Sequence, residues 1–283
     1  MTAIILDGKA LSSKVLDELK TRVTRGVQPT LGIILVGEDS ASELYVRLKK
    51  DACTKIGGEF VLKRLPASAG TRQVLAAIDA FNNDSSVDGI LLQLPLPKGI
   101  DAAECLAAIS PEKDVDGLNP INLARIFERK PGFVAATAKG IMALLHANGV
   151  ELAGKRAVVI GRSPDVGIPI AGLLLAEDAT VTIAHSKTAN LAEVCRDADI
   201  IVSSVGKAGI VTPEMVKDGA VVVDVGTNFV ESGGKRSVVG DVDPRVCEKA
   251  SYVTPVPGGV GPMTIASLLE NLVEAAQERA ATA

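Results

Sequence analysis

"RAVVIGRSPDVGIP", residues 156–169, reads as a strand, a glycine turn and a helix start. Gly161 ends the apolar run, and Gly167 and Pro169 fall where the helix opens. Such a turn aims backbone N–H groups and the positive end of a helix dipole at one spot, which suits a phosphate. The strict GxGxxG spacing is not kept, because Ser163 and Val166 stand at the second and third glycine positions. By itself the loop serves either as a plain strand-to-helix connection or as a nucleotide site.

The same alternation continues on both sides of this loop. Toward the C-terminus, "ATVTIAH" (179–185), "ADIIVSSV" (198–205) and "GAVVVDVG" (219–226) are apolar strands with helical stretches between them. Their unbroken apolar character fits parallel strands covered on both faces. Toward the N-terminus, "TLGIILVG" (30–37), "EFVLKRL" (59–65) and "DGILLQL" (88–94) alternate with helical patterns over 9–25, 41–55 and 71–82. Strands separated by helices imply parallel βαβ units. Between the halves, "PLPKGI" and "SPEKDVDGLNP" are rich in Pro, Gly and Asp and read as loops. "KPGFVAATAKG" (130–140) reads as a domain junction, with a helix over 138–148. The fold class is therefore α/β, with two βαβ domains, the C-terminal one Rossmann-like. The last segment, 264–280, is an Ala- and Leu-rich helix with Thr264 as its expected N-cap.

Composition narrows the function. The chain has 283 residues, 47% of them apolar, so it can bury a large core without any Trp. Its net charge of −4 argues against a nucleic-acid binder, which needs a basic excess. No run reaches the roughly 18 apolar residues of a membrane span. The opening "MTAIILDGK" is too short in apolar residues for a signal peptide. Cys53, Cys105, Cys195 and Cys247 form no CxxC pair, and His146 and His185 are the only histidines. Neither a zinc site nor a disulfide framework is expected, and a reduced, cytoplasmic protein is the simplest reading.

One position after the glycine turn sharpens the cofactor. NAD-binding domains place Asp or Glu at the end of the second strand, for the ribose hydroxyls. Here that place reads "AHSKT" (184–188), with no carboxylate. Ser186 and Lys187 offer donors, as does Arg162 from the turn, and donors suit the extra phosphate of NADP.

In the first half, "SELYVRLKK" (42–50) puts Tyr45 and Lys49 four apart, hence on one helix face. Taken alone, Lys49 is an ordinary surface lysine. Gln93 ends a very apolar strand, and a buried amide there needs a partner, from a site or from loop backbone. Asp114 and Asp116 alternate in "EKDVDGLNP", where turn chemistry alone also explains Asp. "TPVPGGVGPMT" (254–264) places Gly258, Gly259 and Gly261 in a loop that could approach a ligand closely or simply connect domains.

Taken in order, "YVRLKK", "DGILLQLPLP", "KDVDGLNP", "VVIGRSPDVGIP", "HSKT", "MVKDGAVVVDVGTN", "VVGDVD" and "TPVPGGVGPMT" resemble the bifunctional methylenetetrahydrofolate dehydrogenase/methenyltetrahydrofolate cyclohydrolase family. The resemblance covers nearly the whole chain. It implies a cleft between the domains, with residues 1–137 and 264–283 forming a folate-binding catalytic domain and 138–263 an NADP-binding one. It implies Lys49, Gln93 and Asp116 as catalytic residues, Tyr45 against the aminobenzoyl ring and Asp116 on the pterin. Pro257, Gly258 and Gly259 join the substrate-binding set; Gly161, Arg162, Ser163, Ser186 and Thr227 form the cofactor set. It also implies a cytoplasmic homodimer acting on tetrahydrofolate derivatives in one-carbon metabolism and purine biosynthesis, without nucleic acid, membrane or metal.

Two departures stand out. The family's Pro-Cys-Thr-Pro junction is Ala135, Ala136, Thr137 and Ala138 here, which frees the backbone that two prolines would restrict. Thr227 replaces a usual isoleucine after "DVG". Rival readings are a dehydrogenase lacking the hydrolase step and a nucleotide-binding protein without catalysis. A Ser-His hydrolase is disfavoured by the absence of GxSxG.

Overall fold

The structure is a computed structural model that describes residues 3–232 and 235–282. The chain opens with β1 (Ile4–Ile5), α1 (Gly8–Arg25), β2 (Thr30–Val36), α2 (Ser40–Lys55), β3 (Glu59–Leu65), α3 (Thr71–Asn83) and β4 (Gly89–Leu92). Helices α4 (Ala102–Ala108), α5 (Pro120–Glu128) and α6 (Ala136–Ala147) follow. Then come β5 (Arg156–Ile160), α7 (Gly167–Ala176), β6 (Thr180–Ala184), α8 (Leu191–Arg196), β7 (Ile200–Ser203) and β8 (Val221–Asp224). The hairpin of β9 (Asn228–Ser232) and β10 (Lys235–Val239), β11 (Tyr252–Val253) and α9 (Val260–Thr282) complete it. Contacts divide the chain into one unit of Ser13–Ala136 with Ile265–Ala283, and another of residues 1–12 with Thr137–Thr264.

In the unit built on Ser13–Ala136, three parallel strands run in the order β3-β2-β4. Central β2 is buried along its whole length, whereas β3 at the edge alternates between exposed and half-buried. Successive strand residues face opposite sides, so β2 serves two cores. Leu31, Ile33 and Leu35 pack with Leu268, Leu269 and Leu272 of α9. Ile34 and Val36 pack with Val74, Ile78 and Phe81 of α3. Helix α2 starts where the Asp39 carboxylate accepts the Ser42 N–H at 2.8 Å, a side-chain N-cap. It buries Val46, Lys49 and Cys53 at intervals of three and four, the period of one helix face.

The other unit carries a six-stranded parallel sheet in the order β1-β11-β8-β7-β5-β6. Strands β7 and β8 are wholly buried, as their unbroken apolar runs require. The β9–β10 hairpin is antiparallel and separate from that sheet.

Four features differ from the sequence expectation. The first residues do not join the unit expected for 1–137: Ile4 and Ile5 pair with Tyr252 and Val253 of β11, so the chain starts in the six-stranded sheet. Thr264 is not an N-cap, because α9 already begins at Val260; its hydroxyl instead donates to Thr137 Oγ1 at 3.2 Å. Helices α4 and α5 lie on either side of the loop read over 110–120, where the sequence reading placed no helix, and each is opened by a side-chain cap, Asp101 and Asn119. The alanine-rich junction is helical from Ala136, and its three alanines are buried.

Candidate functional site

The side chains expected to carry chemistry fall into two groups, one in each unit. The first group begins with the end of β4. Gln93 follows the last strand residue, Leu92, and its N–H donates to Ile34 O at 2.9 Å, which extends the strand pairing by one residue. Its side-chain amide donates to Leu94 O at 2.7 Å. That bond fixes which way the amide faces and leaves Oε1 to accept from Lys49 Nζ at 3.0 Å. Lys49 is 8% exposed and Gln93 7%, so the pair is withdrawn from water.

Burial lowers the Lys49 pKa, because a desolvated ammonium is disfavoured; the negative charge of Asp116 acts in the opposite sense and is the smaller effect. Lys49 is thus not the solvated lysine that most lysines are. Lys50, by contrast, is exposed, with Nζ 6.0 Å from the centroid of the Phe60 ring. One turn before Lys49, Tyr45 is 45% exposed, and Leu44 and Leu48 flank it as exposed apolar residues. An open aromatic face beside a buried amine can receive a planar ring.

The two aspartates of the following loop divide their work. Asp114 is buried, and its carboxylate accepts from Leu118 N at 3.1 Å, Asn119 N at 2.8 Å and Asn122 Nδ2 at 2.9 Å. It organises the turn that opens α5. Asp116 is half-buried, and its carbonyl accepts from the Ala136 N–H at 3.1 Å.

The second group lies at the C-terminal ends of β5, β6 and β8, where open α/β sheets bind ligands. Gly167 opens α7 so close to the strand end that a Cβ there would lie 2.5 Å from Gly161 O. The close-packing glycine of this turn therefore exists, one residue later than the usual spacing. Ser163 Oγ accepts from the Gly167 N–H at 3.4 Å, and Arg162 is exposed beside it. Ser186 and Lys187 sit exposed in a turn after β6, held where His185 N donates to Thr188 Oγ1 at 2.9 Å and Lys187 N to His185 Nδ1 at 3.1 Å. Thr227 is exposed just past β8.

Pro257, Gly258 and Gly259 follow β11. The loop is tied to the start of α1: Lys9 N donates to Gly258 O at 3.0 Å, and a Cβ on Gly8 would lie 1.7 Å from Gly259 O. Only glycine fits at residue 8, and nothing in the short opening sequence marks it.

The glycine turn, the helix start behind it and the acid-free turn after β6 together fit a dinucleotide carrying an additional phosphate. The structure also shows two aspartates that sequence reasoning passed over, Asp224 and Asp241, both buried at the ends of these loops. Each follows an apolar run and has a glycine within two residues, the only signal the sequence offers.

Comparison with known proteins agrees over the whole chain. Residues 6–116 match the tetrahydrofolate dehydrogenase/cyclohydrolase catalytic domain, and residues 135–280 match the NAD(P)-binding domain of the same family. The chain is 55% identical over 278 residues to the bifunctional protein FolD of Methanospirillum hungatei JF-1, covering 98% of each. Its structure is similar to that of the bifunctional FolD methylenetetrahydrofolate dehydrogenase/cyclohydrolase of Campylobacter jejuni, with a TM-score of 0.94 and 45% identity over 98% of this chain and 99% of that one. It is equally similar, at a TM-score of 0.94 and 39% identity over the full length of both, to the Trypanosoma brucei enzyme solved with NADP cofactor and an inhibitor.

Proposed function

We propose, since the chain belongs to the tetrahydrofolate dehydrogenase/cyclohydrolase family, that Lys49 is the proton-transfer residue of its hydrolytic step. The protein is a bifunctional enzyme. It oxidises 5,10-methylenetetrahydrofolate with NADP⁺ and hydrolyses the resulting 5,10-methenyltetrahydrofolate to 10-formyltetrahydrofolate.

In the first reaction a C–H bond of the methylene bridge breaks and its electron pair leaves as hydride. NADP⁺ supplies the acceptor. The methenyl cation remains. Gly161, Arg162, Ser163, Ser186 and Thr227 hold the cofactor in this reading. Backbone N–H groups at the α7 start face its phosphates, and Arg162 and Ser186 offer donors to the additional one.

In the second reaction a water oxygen bonds to the bridge carbon and loses one proton. The new hydroxyl then loses its proton as the carbonyl forms, the bond to N5 breaks, and N5 takes a proton. One proton is released overall. Lys49 takes and returns these protons, a role that needs an amine whose pKa has moved toward neutrality. Its burial supplies the direction of that shift, and a cationic substrate reinforces it. Gln93 holds the amine without adding charge. Asp116 offers a carboxylate to pterin N–H donors, Tyr45 faces the aminobenzoyl ring, and Pro257, Gly258 and Gly259 bring backbone to the substrate.

The observation that carries this reading is the buried Lys49–Gln93 hydrogen bond at the end of β4. The test mixes enzyme and 5,10-methylenetetrahydrofolate with NADP⁺ or NAD⁺ and follows methenyl absorbance. With NADP⁺ the methenyl species passes to the formyl product faster than it hydrolyses spontaneously. Its accumulation would leave only the dehydrogenase. The reading extends to a homodimer working in the cytoplasm and feeding purine biosynthesis; sedimentation of the purified protein as a monomer would remove the first of these.

A further inference from the structure

Asp241 is completely buried, and one carboxylate there accepts five hydrogen bonds. Its Oδ2 accepts from Val205 N at 2.8 Å, Gly206 N at 3.3 Å and Ser203 Oγ at 3.1 Å. Its Oδ1 accepts from Lys207 N at 2.8 Å and Asn228 Nδ2 at 3.0 Å. Three successive backbone N–H groups thus converge on one anion, and Gly206 takes φ 65°, the left-handed conformation of an N–H nest. Asp241 is itself held from behind: its N–H donates to Asp224 Oδ1 at 2.9 Å, and Gly226, two residues beyond Asp224, could not carry a Cβ without meeting the Asp241 carboxylate at 2.2 Å.

The elements joined in this way are the ones that frame the cofactor set. The loop after β7 touches the glycine turn, because Ser204 N donates to Ile160 O at 2.8 Å and a Cβ on Gly161 would lie 2.4 Å from Ser204 Oγ. Asn228 is the next residue after Thr227. An unfilled nest at Val205–Lys207 would itself attract a phosphate. The chain fills it with its own carboxylate.

We propose that Asp241 is the positioning residue of the cofactor half: it plugs the N–H nest of the β7 loop, which leaves the phosphate to the N–H groups of the glycine turn, and it ties that loop to Asn228 beside Thr227. The inference rests on the assignment of NADP to this half of the chain.

The test uses the full-length enzyme with Asp241→Asn, Asp241→Ala and Asn228→Ala. Dehydrogenase kinetics are measured with NADP⁺ varied, and hydrolysis of 5,10-methenyltetrahydrofolate, which needs no NADP⁺, is measured in parallel. Asp241→Asn raises KM for NADP⁺ about tenfold, the scale of a lost charge-assisted hydrogen bond, while kcat stays within about twofold. Hydrolysis is unchanged, since Lys49 and Gln93 belong to the other unit. Asp241→Ala, with the nest empty, becomes sensitive to inorganic phosphate, competitively with NADP⁺, at concentrations that leave the wild type unaffected. A purely structural role lowers kcat and the active fraction together and leaves KM and phosphate sensitivity alone. If Asp241 variants do not fold, Asn228→Ala, which removes one of the five donors, carries the same KM test. An unchanged KM in the folded variants overturns the inference. Failure of wild-type enzyme to bind NADP⁺ overturns the NADP assignment, and the inference with it.

Discussion

Lys49 donates a 3.0 Å hydrogen bond to the side-chain oxygen of Gln93, and water reaches neither residue freely. In the proposed reading this buried amine, held by a neutral amide, transfers the protons of hydrolysis, with burial outweighing the opposing charge of Asp116.

Stability carries its signature. Burial lowers the folded-state pKa of Lys49 from the ordinary 10.5. Between that lowered value and 10.5 the unfolded chain binds more protons than the folded one, so this group's contribution to stability rises with pH in that window. Below the window the full burial penalty is present. Urea denaturation of wild type and Lys49→Met at stepped alkaline pH will show the difference shifting toward the wild type as pH climbs. A pH-independent difference contradicts the buried, depressed amine.

Gln93 can be altered in two opposite ways. Gln93→Leu removes the oxygen acceptor, destabilises the fold by about 1–3 kcal/mol and slows hydrolysis about 10- to 100-fold through loss of alignment. Gln93→Glu places a carboxylate against the amine and raises its pKa, which moves the acidic limb of the hydrolysis pH profile upward. A profile unmoved by Gln93→Glu would separate the two side chains functionally.

In the proposed reading, cofactor choice depends on the turn after β6. Ser186→Asp restores the carboxylate that NAD-binding domains carry there and sets it against the additional phosphate. The specificity ratio of NADP⁺ to NAD⁺, measured as kcat/KM, falls about 10- to 100-fold, since each charge-assisted hydrogen bond contributes about 1.5–3 kcal/mol. An unchanged ratio places the phosphate elsewhere.

The thiols differ sharply. Cys53 and Cys195 are buried, and burial pushes their pKa up to about 12 and about 11. Cys105 is buried as well, and only Cys247 is partly accessible. Iodoacetamide at mildly alkaline pH will label Cys247 in the native protein and all four cysteines after denaturation. Prompt native labelling of Cys53 would contradict the packing of α2 against the sheet.

Much of this architecture is legible in the sequence because parallel strands buried on both faces must be continuously apolar; β2, β5, β7 and β8 are of that kind. Strands β1 and β11 have two residues each, too few to show a period, and only their pairing across the length of the chain makes them visible. Helices α4 and α5 are hidden in a Pro- and Asp-rich stretch whose residues serve as caps, so cap chemistry and loop chemistry look alike in one dimension. Lys49 and Gln93 are separated by 44 residues, and only the ordered set of motifs marks them as a pair; their spacing does not. Asp241 has little local signal beyond the glycine before it, since its partners come from 203–207 and 228.

The central claim is that Lys49 moves the protons of the hydrolytic step. The direct measurement supplies 5,10-methenyltetrahydrofolate to wild type and to Lys49→Met and follows loss of the methenyl absorbance, with folate and NADP⁺ binding checked by titration. Hydrolysis by Lys49→Met falls about 10²- to 10⁴-fold, the usual contribution of a positioned acid–base group, while both ligands still bind. Hydrolysis at the wild-type rate by a Lys49→Met enzyme would contradict the assignment.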